Sequence, residues 1–358
     1  MTDRISVRKG QPDPKLDHDA FVARYQQQFF DPAFDSKRDE ILALAEIAWA
    51  AYDEGRKAPR THPAGAGFKD PDYQLSDEWR SVRDAIGSAQ ARHDDPAAPS
   101  RILLVCGSPR SEHTCPGEMS KTYRLLEAAE SEALRLGLEC DVLELDRLAS
   151  EYGRVIYPCK ACVSTAMPLC HWPCSCYPNH ALGQTQDWMG EIYPRWAAAH
   201  GVIIVAPVHW NQAPSVLKLM MDRLVCADGG NPDPTSTQGK DPELSKTIEL
   251  DHWDYPQHLA GRAFAVVVHG DTEGAQTSRQ ALGDWLGGTG LIEAGRKSQL
   301  DRYIGYYAPY ATSHAALDAD AAIFEETRNA VRSLAACVQE LRSGVRPACA
   351  GLEDPRKK

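Results

Sequence analysis

The chain has 358 residues, 43% of them hydrophobic, and a net charge of −11. It is long enough to bury a sizeable core without cross-links, and its acid excess argues against a nucleic-acid backbone as partner. No apolar run approaches the roughly 20 residues of a membrane helix, and MTDRISVRKGQPDPK lacks the apolar core of a signal peptide, so a cytoplasmic protein without a membrane partner is expected. In that reducing compartment thiols stay reduced unless they bind metal or turn over in redox chemistry.

Residues 1–98 form a polar, helical N-terminal extension with helices expected near 18–30, 36–54 and 76–93, broken by KAPRTHPAGAGFKDPDY. From Arg101 the pattern changes: ILLVC (102–106), CDVLEL (140–145), GVIIVAP (201–207), FAVVVHG (264–270) and a short run near LIEAG (291–295) alternate with amphipathic helices. Near-continuous apolar strands alternating with helices predict an α/β domain, 99–345, with a parallel sheet covered on both faces. Thr122, Leu126, Ala129, Ala133 and Leu136 repeat at helical spacing before Gly137, and Phe324, Val331, Leu334, Val338 and Leu341 do so before Gly344. Thr277 and Gln280 fit a capping box. A Pro-, Gly- and Asp-rich insert covers 228–259, and 346–358 is a C-terminal tail.

Three loops leave strand C-termini. GSPRSEHTCPGEMSKTYRLL (107–126) opens a helix after the first strand, where backbone N–H groups and the positive helix end favour an anion. Its spacing is neither G-x-x-x-x-G-K-[ST] nor G-x-G-x-x-G; Ser108, Arg110, Ser120, Lys121 and Thr122 suit a single terminal phosphate, against the plainer reading of a βα loop with a surface Arg and Lys. PVHWNQAP (207–214) follows the third strand and HGDTEGAQTS (269–278) the fourth. In a doubly wound sheet such loops converge at the switch in strand order. Pro207, Val208, His209, Trp210, Asn211 and Gln212 would then meet one side of a planar heterocycle, and His269, Gly270, Asp271 and Gly274 the other. Trp210 taken alone fits a buried or interface aromatic equally well, and His209 a local hydrogen bond.

YPCKACVSTAMPLCHWPCSCYPNH (157–180) holds five of the eleven cysteines. Cys159, Cys162, Cys170, Cys174 and Cys176 are candidate metal ligands, since four thiolates hold zinc or an iron-sulfur cluster; a redox dithiol and plain packing remain open beside that reading.

The ordered set GSPR…SKT, PVHWNQAPSVLKLMMDRL and QDWMGEIYPRW resembles the flavodoxin-like NAD(P)H-dependent FMN reductase family, particularly its multimeric flavodoxin and iron-sulfur flavoprotein branch. The resemblance implies a flavodoxin-like doubly wound five-stranded sheet, FMN held by the loop residues named above, and NAD(P)H as reductant. It also implies electron transfer to an unidentified acceptor, directly or through an iron-sulfur cluster, and a homodimer or homotetramer. His209, on the ring-wrapping loop, is the candidate catalytic residue. The extra residues of the phosphate loop, Cys115 and Pro116 among them, depart from the family pattern. The contrasting reading is a non-catalytic scaffold, or an electron carrier, with a zinc-stabilised cysteine loop.

Overall fold

The computed structural model describes residues 5–345 together with 352 and 355. The chain divides into two compact units: residues 1–81, 160–187 and 231–253 form the first, and 82–159, 188–230 and 254–358 the second.

The second unit is built on a parallel sheet. Its strands are β1 (Arg101–Cys106), β2 (Glu139–Glu144), β3 (Gly201–Pro207), β4 (Ala263–Gly270), β5 (Ile292–Glu293) and β6 (Gln299–Tyr303). They run in the order β2-β1-β3-β4-β5, with β6 also on β4, which is the flavodoxin-like order with its switch between β1 and β3. Period-2 alternation explains why the apolar strands are unbroken. Ile102, Leu104, Cys106, Ile203, Val205, Ala265 and Val267 join one core with Leu126 and Ala129 of the Lys121–Arg135 helix and Leu334 and Val338 of the Ala321–Ser343 helix. Leu103, Val105, Val202, Ile204, Val266 and Val268 alternate with them and are equally inaccessible, so both faces are covered.

Two sequence expectations change here. The fifth strand is interrupted: Ile292–Glu293 pairs with Ala263 and Phe264, and Gln299–Tyr303 takes over alongside Val266–Gly270. QLDRY carries only one leucine among polar residues, so no apolar run marks it as a strand. The expected capping box at Thr277 and Gln280 is absent, because the helix opens at Ala275 behind Gly274 (φ 108°), which puts Thr277 inside the first turn.

In the first unit the helices His18–Gln26 and Arg38–Asp53 pair through Phe21, Trp49 and Tyr52. A short antiparallel pair, Thr61–Pro63 with Gln74–Ser76, covers a small core of Ala64, Leu75 and Trp79. The cysteine-bearing segment is stitched to residues of the insert by main-chain bonds: Asn231 N–H donates to Cys170 O at 2.6 Å and Trp172 N–H to Asn231 O at 2.8 Å. The insert itself carries a helix, Pro242–Leu250.

Candidate functional site

The C-terminal ends of β1, β3 and β4 converge on a crevice of about 360 Å³. Of the residues the sequence nominated, Ser108, Arg110, Ser120, Lys121, Thr122, Pro207, Val208, His209, Trp210, His269, Gly270 and Asp271 line it. Asn211, Gln212 and Gly274 are not part of this lining. Gly274 is required at its position: a Cβ on it would come within 2.7 Å of Asn211 Cα, and its φ is 108°. Val208 N–H donates to His269 O at 2.8 Å, which ties the second loop to the third.

The second loop ends in a tight turn. His209 and Gln212 exchange main-chain hydrogen bonds at 2.9 and 3.0 Å, and the two residues between them, Trp210 (φ 50°) and Asn211 (φ 61°), are both left-handed. That is the primed hairpin geometry normally given to Asn-Gly, here with a tryptophan in the costly position. The Trp210 side chain is 97% exposed.

In the first loop the hydroxyls are already engaged. Ser108 Oγ accepts from Arg110 N–H at 3.1 Å, and Ser120 Oγ caps the following helix through Tyr123 N–H at 3.1 Å. Thr122 Oγ1 lies 2.8 Å from His269 Nε2, both groups being buried. If the imidazole donates from Nε2, the threonine proton is left for an anion; if the hydroxyl donates, it is not. Burial, and then the nearby Lys121 and His209, push the His269 pKa down to about 3, so the ring is neutral at pH 7.

The cations are less satisfied than the hydroxyls. Arg110 Nη2 donates to Tyr310 Oη at 3.1 Å, but its buried Nε has no partner. Burial lowers the Lys121 pKa below the ordinary lysine value, and Asp271 only partly offsets this. Lys121 opens a fifteen-residue helix whose first amides have no intrahelical acceptor, and Arg110 lines the same crevice from the preceding loop. His209 is likewise lowered, by burial and then by Arg110.

Four lining residues were not nominated from the sequence: Met119, Thr272, Tyr310 and His314. Tyr310 has its ring 5.1 Å from the Arg110 guanidinium and its hydroxyl against Glu118. The density of tyrosines in RYIGYYAPY was the one available signal, and it does not say which tyrosine turns inward.

The five candidate metal ligands are divided. Cys159 belongs to the flavodoxin-like unit, and Cys162, Cys170, Cys174 and Cys176 to the first unit. Cys162 Sγ and Cys176 Sγ are 3.4 Å apart, and Cys170 is buried. Cys176 is also within hydrogen-bond reach of Cys174, but among the described residues no three His, Cys, Asp or Glu side chains are grouped to hold a metal ion.

Residues 100–301 match the model of the NADPH-dependent FMN reductase family. That is more than half of the chain, and the protein belongs to this family of oxidoreductases. An iron-sulfur flavoprotein of Methanosarcina thermophila is 30% identical over 125 residues, covering 35% of this chain and 52% of the relative; the chain therefore spans about half the length of the curated relative it matches. Among solved structures, RosB with a bound 8-demethyl-8-formylriboflavin-5′-phosphate intermediate has a TM-score of 0.48 at 14% identity, covering 68% of this chain and 81% of that one. The NAD(P)H:quinone oxidoreductase of Methanothermobacter marburgensis has a TM-score of 0.39 at 16% identity, covering 66% and 100%. Likenesses at this level add nothing to the fold that the sheet order itself defines.

Proposed function

We propose that the crevice binds FMN and that the protein is an NAD(P)H-dependent FMN oxidoreductase handing electrons to a separate acceptor. The observation that carries this reading is the pair of under-satisfied cations, Arg110 and Lys121, in one crevice where a helix N-terminus begins. A buried guanidinium N–H without an acceptor costs free energy until an anion fills the place, and a phosphate matches both the charge and the backbone donors. Family membership supports FMN as the molecule that brings that phosphate.

Bound FMN would supply the redox chemistry, taking a hydride from the nicotinamide and releasing its electrons to the acceptor. Arg110 and Lys121 would hold the phosphate, with Ser108, Ser120 and Thr122 shaping the loop that presents them. His269 keeps the Thr122 hydroxyl in place. The stiff Pro207–Gln212 turn would offer its main-chain groups to the ring edge and Trp210 an apolar face, with Gly270 and Asp271 closing the opposite side. His209 is the candidate catalytic residue. Being neutral at pH 7, it can present a ring N–H as a hydrogen-bond donor but is a weak acid, which favours positioning or proton relay over bulk protonation.

An iron-sulfur cluster on the cysteine segment has the relative's name in its favour and zinc does not, and no electron path is assigned to either. The test is the visible spectrum and metal content of the freshly purified, anaerobically handled protein. A flavin band bleached by NADPH or NADH is expected. Protein that takes up no FMN sinks the proposal. FMN that nicotinamide never reduces would leave an electron carrier or a scaffold, and iron with acid-labile sulfide would restore the cluster.

A further inference from the structure

The first unit contains a second cavity, of about 430 Å³, that the flavin reading does not use. Its lining combines flat apolar walls with cations and contains no aspartate or glutamate, which is unusual in a chain of net charge −11. Trp79, Tyr73 and Tyr177 form the aromatic walls, with Leu75 between them. Trp79 is fixed, being 5% exposed with Nε1–H donating to Pro173 O at 2.9 Å. The Tyr73 hydroxyl lies against Gly239 (φ 73°), where a Cβ would come within 2.3 Å of it.

Three cations line this space, and only one has an acid. Arg56 pairs with Glu54 at 3.2 Å. Lys57 is half-buried, and among the described residues no carboxylate pairs with it or with Lys240. Burial, then the neighbouring Lys240 and Lys160, oppose the Lys57 charge, and the thiols of Cys176 and Cys174 only partly offset them. Two like charges at one apolar cavity raise each other's cost, and a protein retains such an arrangement at the expense of stability unless something compensates it. An anion lying between the lysines would do so, and the aromatic walls select one with a flat apolar body over a bare inorganic ion.

We infer that the cavity bounded by Lys57, Lys240, Tyr73, Trp79 and Tyr177 is a binding site for a small aromatic carboxylate. The carboxylate sits toward the two lysines and the ring lies against the aromatic walls. The site is assembled wholly within the first unit, and the inference does not depend on the reductase reading.

The test is calorimetric titration of the full-length protein, as purified, with benzoate, its neutral isostere benzamide, and inorganic phosphate. Benzoate binds, benzamide binds at least about tenfold more weakly, and Lys57→Met and Lys240→Met each weaken benzoate by about tenfold, the usual worth of one charge-assisted contact. Lys57→Arg keeps most of the affinity. Lys240→Met, at an exposed position, guards against a Lys57 variant that fails to fold. FMN content and NAD(P)H-driven reduction stay at wild-type values in both lysine variants, so failure here and failure of the reductase reading are separate results. Equal binding of benzoate and benzamide overturns the proposal, as does binding unchanged in both lysine variants, or phosphate binding as tightly as benzoate. Absence of benzoate binding overturns it as well.

Discussion

The crevice of the flavodoxin-like unit and the cavity of the first unit pose the same electrostatic problem and reach it by different constructions. Each holds two cations that pair with no carboxylate among the described residues, Arg110 and Lys121 in one, Lys57 and Lys240 in the other. Each unit also has a buried histidine against a threonine hydroxyl: His269 with Thr122 at 2.8 Å, His171 with Thr237 at 3.0 Å. The crevice arises where three strands end together, so helix amides and main-chain groups come with the topology. The first-unit cavity has no strand ends to draw on and is assembled from side chains of three distant segments. Recognition of a phosphate is therefore inherent in the first construction, whereas selectivity in the second depends on a few side chains.

The largest effect expected is acid destabilisation of the flavodoxin-like unit. Burial, first among the causes, lowers the pKa of His269 to about 3 and of His200 to about 4. His200 Nδ1 accepts from Arg101 N–H at 3.0 Å and its Nε2–H donates to His93 O at 3.0 Å, so protonation would remove an acceptor. The unfolded chain takes up these protons near pH 6.5 and the folded one does not. Stability is thus fully present above pH 6.5 and is lost as pH falls toward 4. At pH 5 each ring contributes about 2 kcal/mol of loss, roughly 4 kcal/mol together, to be read from urea unfolding at pH 7 and 5. An unfolding midpoint that does not move over that interval would show that these rings already carry protons in the fold.

Arg110→Ala comes next. Removing a charge-assisted donor costs about 1.5–3 kcal/mol, or about ten- to a hundredfold in FMN affinity, measured by quenching of flavin fluorescence. Lys57→Met should leave that affinity untouched, which keeps the two sites distinct. Thr122→Val tests the support behind the loop. It strands a buried His269 nitrogen, with an expected cost of about 1–3 kcal/mol in stability; no loss would mean that the hydroxyl–imidazole contact is idle.

The legible parts of the sequence were those with local causes. β1, β3 and β4 were readable because both faces are buried and the apolar runs are continuous, and the loops after them followed from where the strands stop. Lys121–Arg135 and Ala321–Ser343 were readable from apolar spacing and a terminal glycine, Gly137 and Gly344, each with positive φ. QLDRY was illegible as a strand because an edge position needs few apolar residues. Tyr310 was illegible as a crevice residue because its place depends on Arg110, two hundred residues away in sequence. The grouping of Lys160–Asp187 and Asn231–Trp253 with the N-terminal residues rests on contacts such as Asn231 N–H to Cys170 O, His180 N–H to Lys57 O and Asp70 N–H to Thr235 Oγ1, which leave no periodic trace. For the same reason, clustering in sequence nominated five metal ligands, of which Cys162 and Cys174 meet at Cys176, while among the described residues no metal-holding group is formed.

The smallest effect separates stability from binding at a single residue. Trp210 is almost fully exposed and holds φ at 50°, so its side chain contributes little packing while its backbone is strained by an amount on the order of 1 kcal/mol. Trp210→Gly removes the strain, since glycine adopts that region freely, but it also loosens the unfolded chain, which offsets part of the gain. The net expectation is a stability change between zero and about +1 kcal/mol by chemical denaturation. FMN affinity should fall about two- to tenfold with loss of the aromatic face, worth about 0.5–1.5 kcal/mol. Trp210→Ala should lose the same affinity without the gain, because alanine keeps the strain. A glycine variant that is both less stable and unaltered in FMN binding would show that the tryptophan serves the fold. The strained turn would then be structural, and the contrast between a crevice prepared by its backbone and a cavity prepared by its side chains would lose its strongest support.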